Sequence, residues 1–188
     1  PKRCLHPGAR SASARGTYYE SAEFGQKTYN GVALLSRTPV ADVGRNIVGF
    51  SDENSRVIAG TVDAPGGPLR IVNGYFVNGQ APGTDKFDYK MSWLRGLRDW
   101  LHEELAAHPR LVLLGDFNIA PEDRDSYDPV GLAESIHHTT EERDHFKALL
   151  GLGNMVSNVN VPNQGQIPNL PIGAVVETNA LFSRGRID

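Results

Sequence analysis

The chain has 188 residues, of which 39% are hydrophobic and 22% charged, with a formal net charge of −3. That length supports one sizeable domain with a buried core, no apolar run approaches the roughly 20 residues of a membrane span, and a single cysteine, Cys4, excludes an internal disulfide and a CxxC zinc site. The opening PKRCLHPGARSASARG lacks the apolar core of a secretory signal, so a cytoplasmic location without a membrane partner is expected, and the mild acidity leaves only a local basic patch for any nucleic acid.

Residues 1–28 read as irregular, rich in Ser, Ala, Gly and Arg. The run Gly31-Val-Ala-Leu-Leu-Ser36 behind Asn30 predicts a buried strand. Arg56–Val62 and Leu69–Phe76 predict two more, joined as a β-hairpin across Asp63-Ala-Pro-Gly-Gly-Pro68. From Lys86 to Ala107 the period changes: Trp93, Leu94, Leu97, Trp100, Leu101 and Leu105 recur at steps of three and four, as on an amphipathic helix that His108-Pro109 stops. Leu111–Leu114 predicts another buried strand, ending at Gly115-Asp-Phe-Asn118. A polar, acid-rich stretch follows to Thr140. Thr139 and Glu142 have capping-box spacing, which predicts a helix from there to about Leu150. Beyond Gly153 the chain is rich in Asn and Pro and has no helical period; it reads as loop, with a strand near Ala174–Phe182. This order predicts a mixed, layered α/β fold.

The chemistry concentrates on Leu111–Asn118. Strand alternation would put Asp116 and Asn118 on one side and Phe117 on the other, with Gly115 leaving room for close approach. A carboxylate beside a carboxamide suits phosphodiester hydrolysis: the acid holds water or a hard cation such as Mg²⁺, and the amide donates to a phosphate oxygen. The same pair also suits strand termination through turn hydrogen bonds, and spacing alone favours that second reading. In Asn73-Gly-Tyr-Phe-Val-Asn-Gly79, Tyr75 could present a phenol to a phosphate with Asn73 or Asn78 in support, or be an ordinary tyrosine beside Asn-Gly turns. The histidines show no HExxH or paired-ligand spacing; His137, His138 and His145 read as surface residues, as do His102 and His108 on or after the long helix.

Four segments in a common order carry a family resemblance: Gly25-Gln-Lys-Thr-Tyr-Asn-Gly-Val-Ala-Leu-Leu-Ser-Arg37, Arg56-Val-Ile-Ala-Gly60, Ile71-Val-Asn-Gly-Tyr-Phe-Val-Asn-Gly79 and Leu113-Leu-Gly-Asp-Phe-Asn-Ile-Ala-Pro-Glu-Asp-Arg-Asp125. From about Leu5 to Gly153 the chain resembles bacterial exodeoxyribonuclease III, in the endonuclease/exonuclease/phosphatase superfamily that includes the abasic-site repair nucleases. The resemblance implies an α/β sandwich of two mixed β-sheets flanked by helices. It implies Mg²⁺-dependent hydrolysis of DNA, with Mn²⁺ as an alternative ion: incision at abasic sites, 3′→5′ exonuclease and 3′-phosphatase activity. Double-stranded DNA with abasic or 3′-blocked ends is the implied partner, and a monomer the implied state. By the same resemblance Asp116 activates or positions water, Asn118 orients Asp116 and the phosphate, and both serve the metal. Tyr75 contacts the scissile phosphate and Asn73 lines the same wall. Lys27, Tyr29 and Asn30 fall in a segment that lies near the DNA backbone.

The family's opening asparagine strand, its metal-binding glutamate and its closing Ser-Asp-His are not in this chain, so the sandwich is expected to be incomplete at both ends. Only Arg186-Ile-Asp188 resembles a closing strand, Asp188 being the residue that would orient the histidine. Residues 154–183 resemble a stretch of NAD- and Mn²⁺-dependent glycosidases, and residues 154–185 read as a foreign insert between a nuclease-like core, 1–153, and the remnant 186–188. A DNA-binding remnant without catalysis is therefore the alternative expectation. A sugar-phosphate enzyme would need a glycine-rich dinucleotide loop that the sequence lacks.

Overall fold

A computed structural model describes residues 11–12, 18–152, 155–165, 167–183 and 186–187; Cys4 and Asp188 lie outside them. The strands are β1 (Ser11–Ala12), β2 (Tyr18–Gly25), β3 (Gly31–Ser36), β4 (Ala41–Arg45), β5 (Val57–Ala64), β6 (Gly67–Tyr75), β7 (Leu111–Asp116), β8 (Met155–Pro162), β9 (Val175–Ser183) and β10 (Arg186–Ile187), and the helices are α1 (Asp85–Ala107) and α2 (Thr140–Leu152). The strands form three sheets, in the orders β1-β2-β3, β4-β5-β6-β7 and β10-β9-β8. None of the described helices is long and apolar enough to cross a membrane.

The chain divides into two compact units, Pro1–Tyr75 with Trp100–Leu113, and Phe76–Asp99 with Leu114–Asp188. In the first, β5 and β6 form the expected hairpin, with Ala64 opposite Gly67, so the turn is tighter than the six-residue punctuation suggests. Its core gathers Ala22, Leu34 and Ile58, with Phe24, Val32, Val40, Val43 and Ile71 packed against them. Buried Arg70 crosses this unit to Glu104 at 2.7 Å and donates to the Asp42 carbonyl at 2.7 Å.

Strand β2 corrects the irregular reading over residues 18–25. Its ladder, Glu20 opposite Ser36 through Gly25 opposite Gly31, comes from pairing with β3, which no local pattern announces. Strand β4 is likewise unforeseen; it is short, and its register shifts between Ala41 and Gly44.

In the second unit Phe76, Trp93, Phe117 and Phe146 form a chain of edge-to-face rings, with centroids 5.0 Å apart for Phe76–Trp93, 4.7 Å for Phe76–Phe117 and 5.6 Å for Phe117–Phe146. These rings bury the apolar floor beneath residues 115–118. Helix α1 starts where the Thr84 hydroxyl accepts the Phe87 N–H, a side-chain cap on an orphan donor. Helix α2 starts at the expected capping box: Thr139 Oγ1 accepts the Glu142 N–H at 3.1 Å, and Glu142 accepts from the Thr139 N–H at 3.1 Å. The Asn-rich segment corrects the loop reading, because β8 and β9 pair antiparallel from Met155 opposite Phe182 to Pro162 opposite Val175. The connection between them is organised by buried Asn163, whose amide donates to the Ile167, Leu170 and Pro171 carbonyls.

Candidate active site

The site is built where β7 ends. The Arg70 N–H bonds the Arg110 carbonyl and the Phe76 N–H bonds the Asp116 carbonyl at 2.9 Å each. The two bonds share one sequence offset, as in a parallel pair, so the four-stranded sheet is mixed. Along β7 only Leu113 is fully buried; its neighbours are half-buried and Asp116 is exposed. Phe117 turns into the aromatic floor at 6% exposure, so the expected division between Asp116 and Phe117 holds.

Strand alternation does not place Asn118, however. The strand stops at Asp116, and Asn118 adopts φ +47°, a left-handed backbone that asparagine tolerates better than most residues. Two hydrogen bonds hold the bend. The Asn118 N–H donates to Asp116 Oδ1 at 3.1 Å, and Asn118 Nδ2 donates to the Phe76 carbonyl at 3.0 Å. The turn-forming reading of this pair therefore holds: the backbone N–H of Asn118 reaches the Asp116 carboxylate, while its carboxamide turns to Phe76. With Nδ2 engaged at Phe76, the carboxamide Oδ1 and one amide hydrogen are left for a ligand.

Sequence reasoning missed what lies beneath this bend. Lys90 and Glu142 are both 0% exposed and form an ion pair. Lys90 Nζ also donates to the Asn118 carbonyl at 2.7 Å and to the Asn78 carbonyl at 3.2 Å. Burial pulls the Lys90 ammonium below its ordinary pKa, against the opposing pull of Glu142 and Asp116. His137, read from sequence as a surface residue, is half-buried, with Nδ1 2.6 Å from the Asn118 carbonyl and Nε2 3.4 Å from Asn78 Nδ2. A carbonyl can only accept, so Nδ1 carries the proton and Nε2 accepts, which is the neutral tautomer. Burial also lowers the His137 pKa. A signal was available for Lys90: it stands three residues after buried Phe87 and four before buried Leu94, on the apolar stripe of α1, where a lysine needs a partner.

The remaining predicted residues lie in the other unit. Asn73 Nδ2 donates to the Ala33 carbonyl at 3.0 Å, tying β6 to β3. Tyr75 ends β6, its N–H on the Arg56 carbonyl at 2.8 Å and its ring 5.6 Å from the Arg56 guanidinium. Lys27 and Tyr29 are exposed in the β2–β3 connection, Tyr29 at 83%. Asn30 Nδ2 donates to Asn54 Oδ1 at 3.0 Å, and its φ of +67° makes the turn.

A divalent cation placed at the bend would meet hard donors: an exposed carboxylate oxygen from Asp116 and the carboxamide oxygen of Asn118. Two such oxygens fit Mg²⁺, which keeps several waters and takes few protein ligands. Among the described residues no group of three or more His, Cys, Asp or Glu side chains could hold a metal ion. In the acid-rich stretch, Arg143 pairs with Asp123 at 2.9 Å and Asp125 accepts the Glu122 N–H at 3.0 Å, so these carboxylates are engaged locally.

Known proteins share this architecture. The sequence model of the endonuclease/exonuclease/phosphatase family matches residues 3–184. Exodeoxyribonuclease III of Haemophilus influenzae is 31% identical over 112 residues, which cover 57% of this chain and 41% of that protein. A 3′-5′ exonuclease from Neisseria meningitidis is 44% identical with a TM-score of 0.68, over 72% of this chain and 52% of that one. A Neisseria 3′ phosphatase bound to a product DNA hairpin is 36% identical with a TM-score of 0.72, over 88% and 66%. The fold is therefore the α/β sandwich of mixed sheets and helices expected from the motifs. The chain spans about 41% of the Haemophilus protein and 52% to 66% of the Neisseria structures. A separate 42-residue match, 68% identical, is to an alpha-galacturonidase of Thermoanaerobacterium saccharolyticum; it covers 22% of this chain and 9% of that protein, in keeping with the glycosidase resemblance.

Proposed function

Because the chain belongs to the endonuclease/exonuclease/phosphatase family, we propose that it hydrolyses DNA phosphodiesters and phosphomonoesters in repair, at abasic sites and blocked 3′ ends, with Mg²⁺ or Mn²⁺ as cofactor. The observation that carries this reading is the Asp116–Asn118 bend: an exposed carboxylate fixed by the Asn118 N–H at 3.1 Å, over a buried aromatic floor.

In the proposed reaction Asp116 takes a proton from an attacking water. The water oxygen forms a new bond to phosphorus as the P–O3′ bond breaks. The departing oxygen takes a proton from solvent, leaving a 3′ hydroxyl and a 5′ phosphate; at a 3′-phosphate the products are the hydroxyl and inorganic phosphate. Asn118 orients the carboxylate through its backbone N–H and offers its remaining amide hydrogen to a phosphate oxygen, where negative charge grows. A bound divalent cation, held by Asp116 and Asn118, would supply Lewis-acid polarisation of the phosphoryl oxygen. Tyr75 and Asn73 are proposed to contact the phosphate and line the site. Lys27, Tyr29 and Asn30 are proposed to meet the DNA backbone, for which an exposed cation and aromatic ring are suited.

The test is cleavage of an abasic-site duplex and of a 3′-phosphorylated duplex by the full chain, with Mg²⁺ titrated and then removed by EDTA. Mg²⁺-dependent products that fall at least about 100-fold in Asp116→Ala are expected. Salt-sensitive DNA binding without cleavage at any Mg²⁺ concentration would replace this reading with that of a non-catalytic DNA-binding remnant.

A further inference from the structure

Lys90 is an expensive residue in its position. A buried ammonium and a buried carboxylate lose hydration that their attraction only partly returns, and an apolar pair of similar volume is often neutral or stabilising in its place. Stability alone therefore does not account for Lys90 and Glu142, both 0% exposed.

Their geometry does. The Nζ of Lys90 is a point of convergence for the Asn118 carbonyl at 2.7 Å, the Asn78 carbonyl at 3.2 Å and the Glu142 carboxylate. Glu142 Oε1 also accepts the His137 N–H at 3.1 Å, while Oε2 accepts the Thr139 N–H and hydroxyl at 3.1 and 2.8 Å, closing the start of α2. The loop backbone lies directly on the lysine stem: a Cβ at Gly79, where φ is +89°, would stand 2.8 Å from Lys90 Cδ. One ammonium thus ties α1, the loop at 78–79, the bend at Asn118 and the cap of α2.

We propose that Lys90 is a positioning residue for the active-site bend, holding the Asn118 carbonyl so that its left-handed backbone, and with it the Asp116–Asn118 pair, is preorganised. The Asn118 carbonyl receives Lys90 Nζ and His137 Nδ1. With that carbonyl fixed, the preceding N–H stays on Asp116 and the amide stays on Phe76. Lys90 touches no substrate. Its effect falls on the transition state, through the precision of groups that do. The proposal rests on the functional reading for what the bend does, though not for how it is held.

The test compares wild type with the pair Lys90→Met and Glu142→Gln, which removes both charges so that neither is left buried alone, and with Lys90→Arg, which keeps the charge opposite Glu142 on a planar fork that cannot converge on three acceptors at one atom. Three quantities are read: kcat and KM for Mg²⁺-dependent cleavage of a 3′-phosphorylated duplex, hydrogen exchange of the Asn118 amide, and the melt. A cooperatively folded pair variant should lose about tenfold or more in kcat, with KM within about threefold, and its Asn118 amide should exchange at least about tenfold faster. If the pair does not fold, Lys90→Arg decides on the same readouts, with a fall of about threefold in kcat expected. A folded variant that keeps either wild-type kcat or wild-type Asn118 exchange overturns the proposal. If the wild-type chain cleaves nothing, the functional reading fails by itself, and Asn118 exchange still decides the positioning claim: faster exchange sustains it and unchanged exchange ends it.

Discussion

Asn118 donates its backbone N–H to the carboxylate of Asp116 across 3.1 Å, so a single bend sets both side chains. The backbone role and the side-chain role of Asn118 are separable, because φ there is +47°. Asn118→Gly removes the amide but relieves the left-handed backbone, while Asn118→Ala removes the amide and adds roughly 1 kcal/mol of strain. Both variants should lose about 100-fold in cleavage rate. Urea unfolding should place the alanine variant about 1 kcal/mol below the glycine variant. A glycine variant that cleaves at the wild-type rate would remove the Asn118 side chain from the chemistry.

What was legible in the sequence is what local pattern determines. Of the predicted stripe, Trp93, Leu94, Leu97, Trp100 and Leu101 are buried and Leu105, near the helix end, is half-buried, because helical period reports a helix face directly. The Thr139–Glu142 cap and the β5–β6 hairpin are short-range features with their own chemistry. Strand β2 was not legible, because Ala22 and Phe24 acquire their role only against β3, and β8 hides among asparagines until β9 pairs with it. At the site, Asp116 and Asn118 were legible as a motif but placed by the wrong geometry: strand periodicity was extended past Asp116 into a left-handed turn. His137 reads as a surface residue because no ligand spacing marks it, and Lys90 carries no motif at all; their burial comes from partners on other segments that only the fold assembles.

Thr139 is 4% exposed and its hydroxyl both accepts the Glu142 N–H and donates to the Glu142 carboxylate. Thr139→Ala therefore loses a helix cap and leaves a buried carboxylate oxygen one donor short. The expected cost is about 1–3 kcal/mol in urea unfolding, and Thr139→Ser should recover most of it. An alanine variant within about 0.5 kcal/mol of wild type would show that the cap bears little on folding.

Gly60 marks a close approach in the first unit. A Cβ there would stand 2.4 Å from Val40 Cγ1 and 3.0 Å from Leu34 Cδ1. Gly60→Ala is expected to destabilise by about 1–3 kcal/mol through overpacking. Combining it with Val40→Ala, which opens the tighter contact, should cost less than the two changes added separately. A double-mutant cycle reads that coupling directly, and strict additivity would contradict the packing described.

Acid should destabilise the fold through its histidines. Burial holds the His145 imidazole below its ordinary 6.5, the Arg95 and Arg98 guanidiniums act in the same direction, and Glu141 and Asp144 oppose it. With the folded pKa depressed, the unfolded chain binds more protons between the two values, so stability rises with pH across that window. The contribution is complete above about 6.5 and is lost as the pH falls through the folded pKa. His137, lowered chiefly by burial, acts in the same sense. Urea unfolding of wild type and His145→Gln at about pH 7.5 and about pH 5.5 separates this share: wild type should lose more stability on acidification than the variant. Equal losses would show that His145 titrates alike in the folded and unfolded chain.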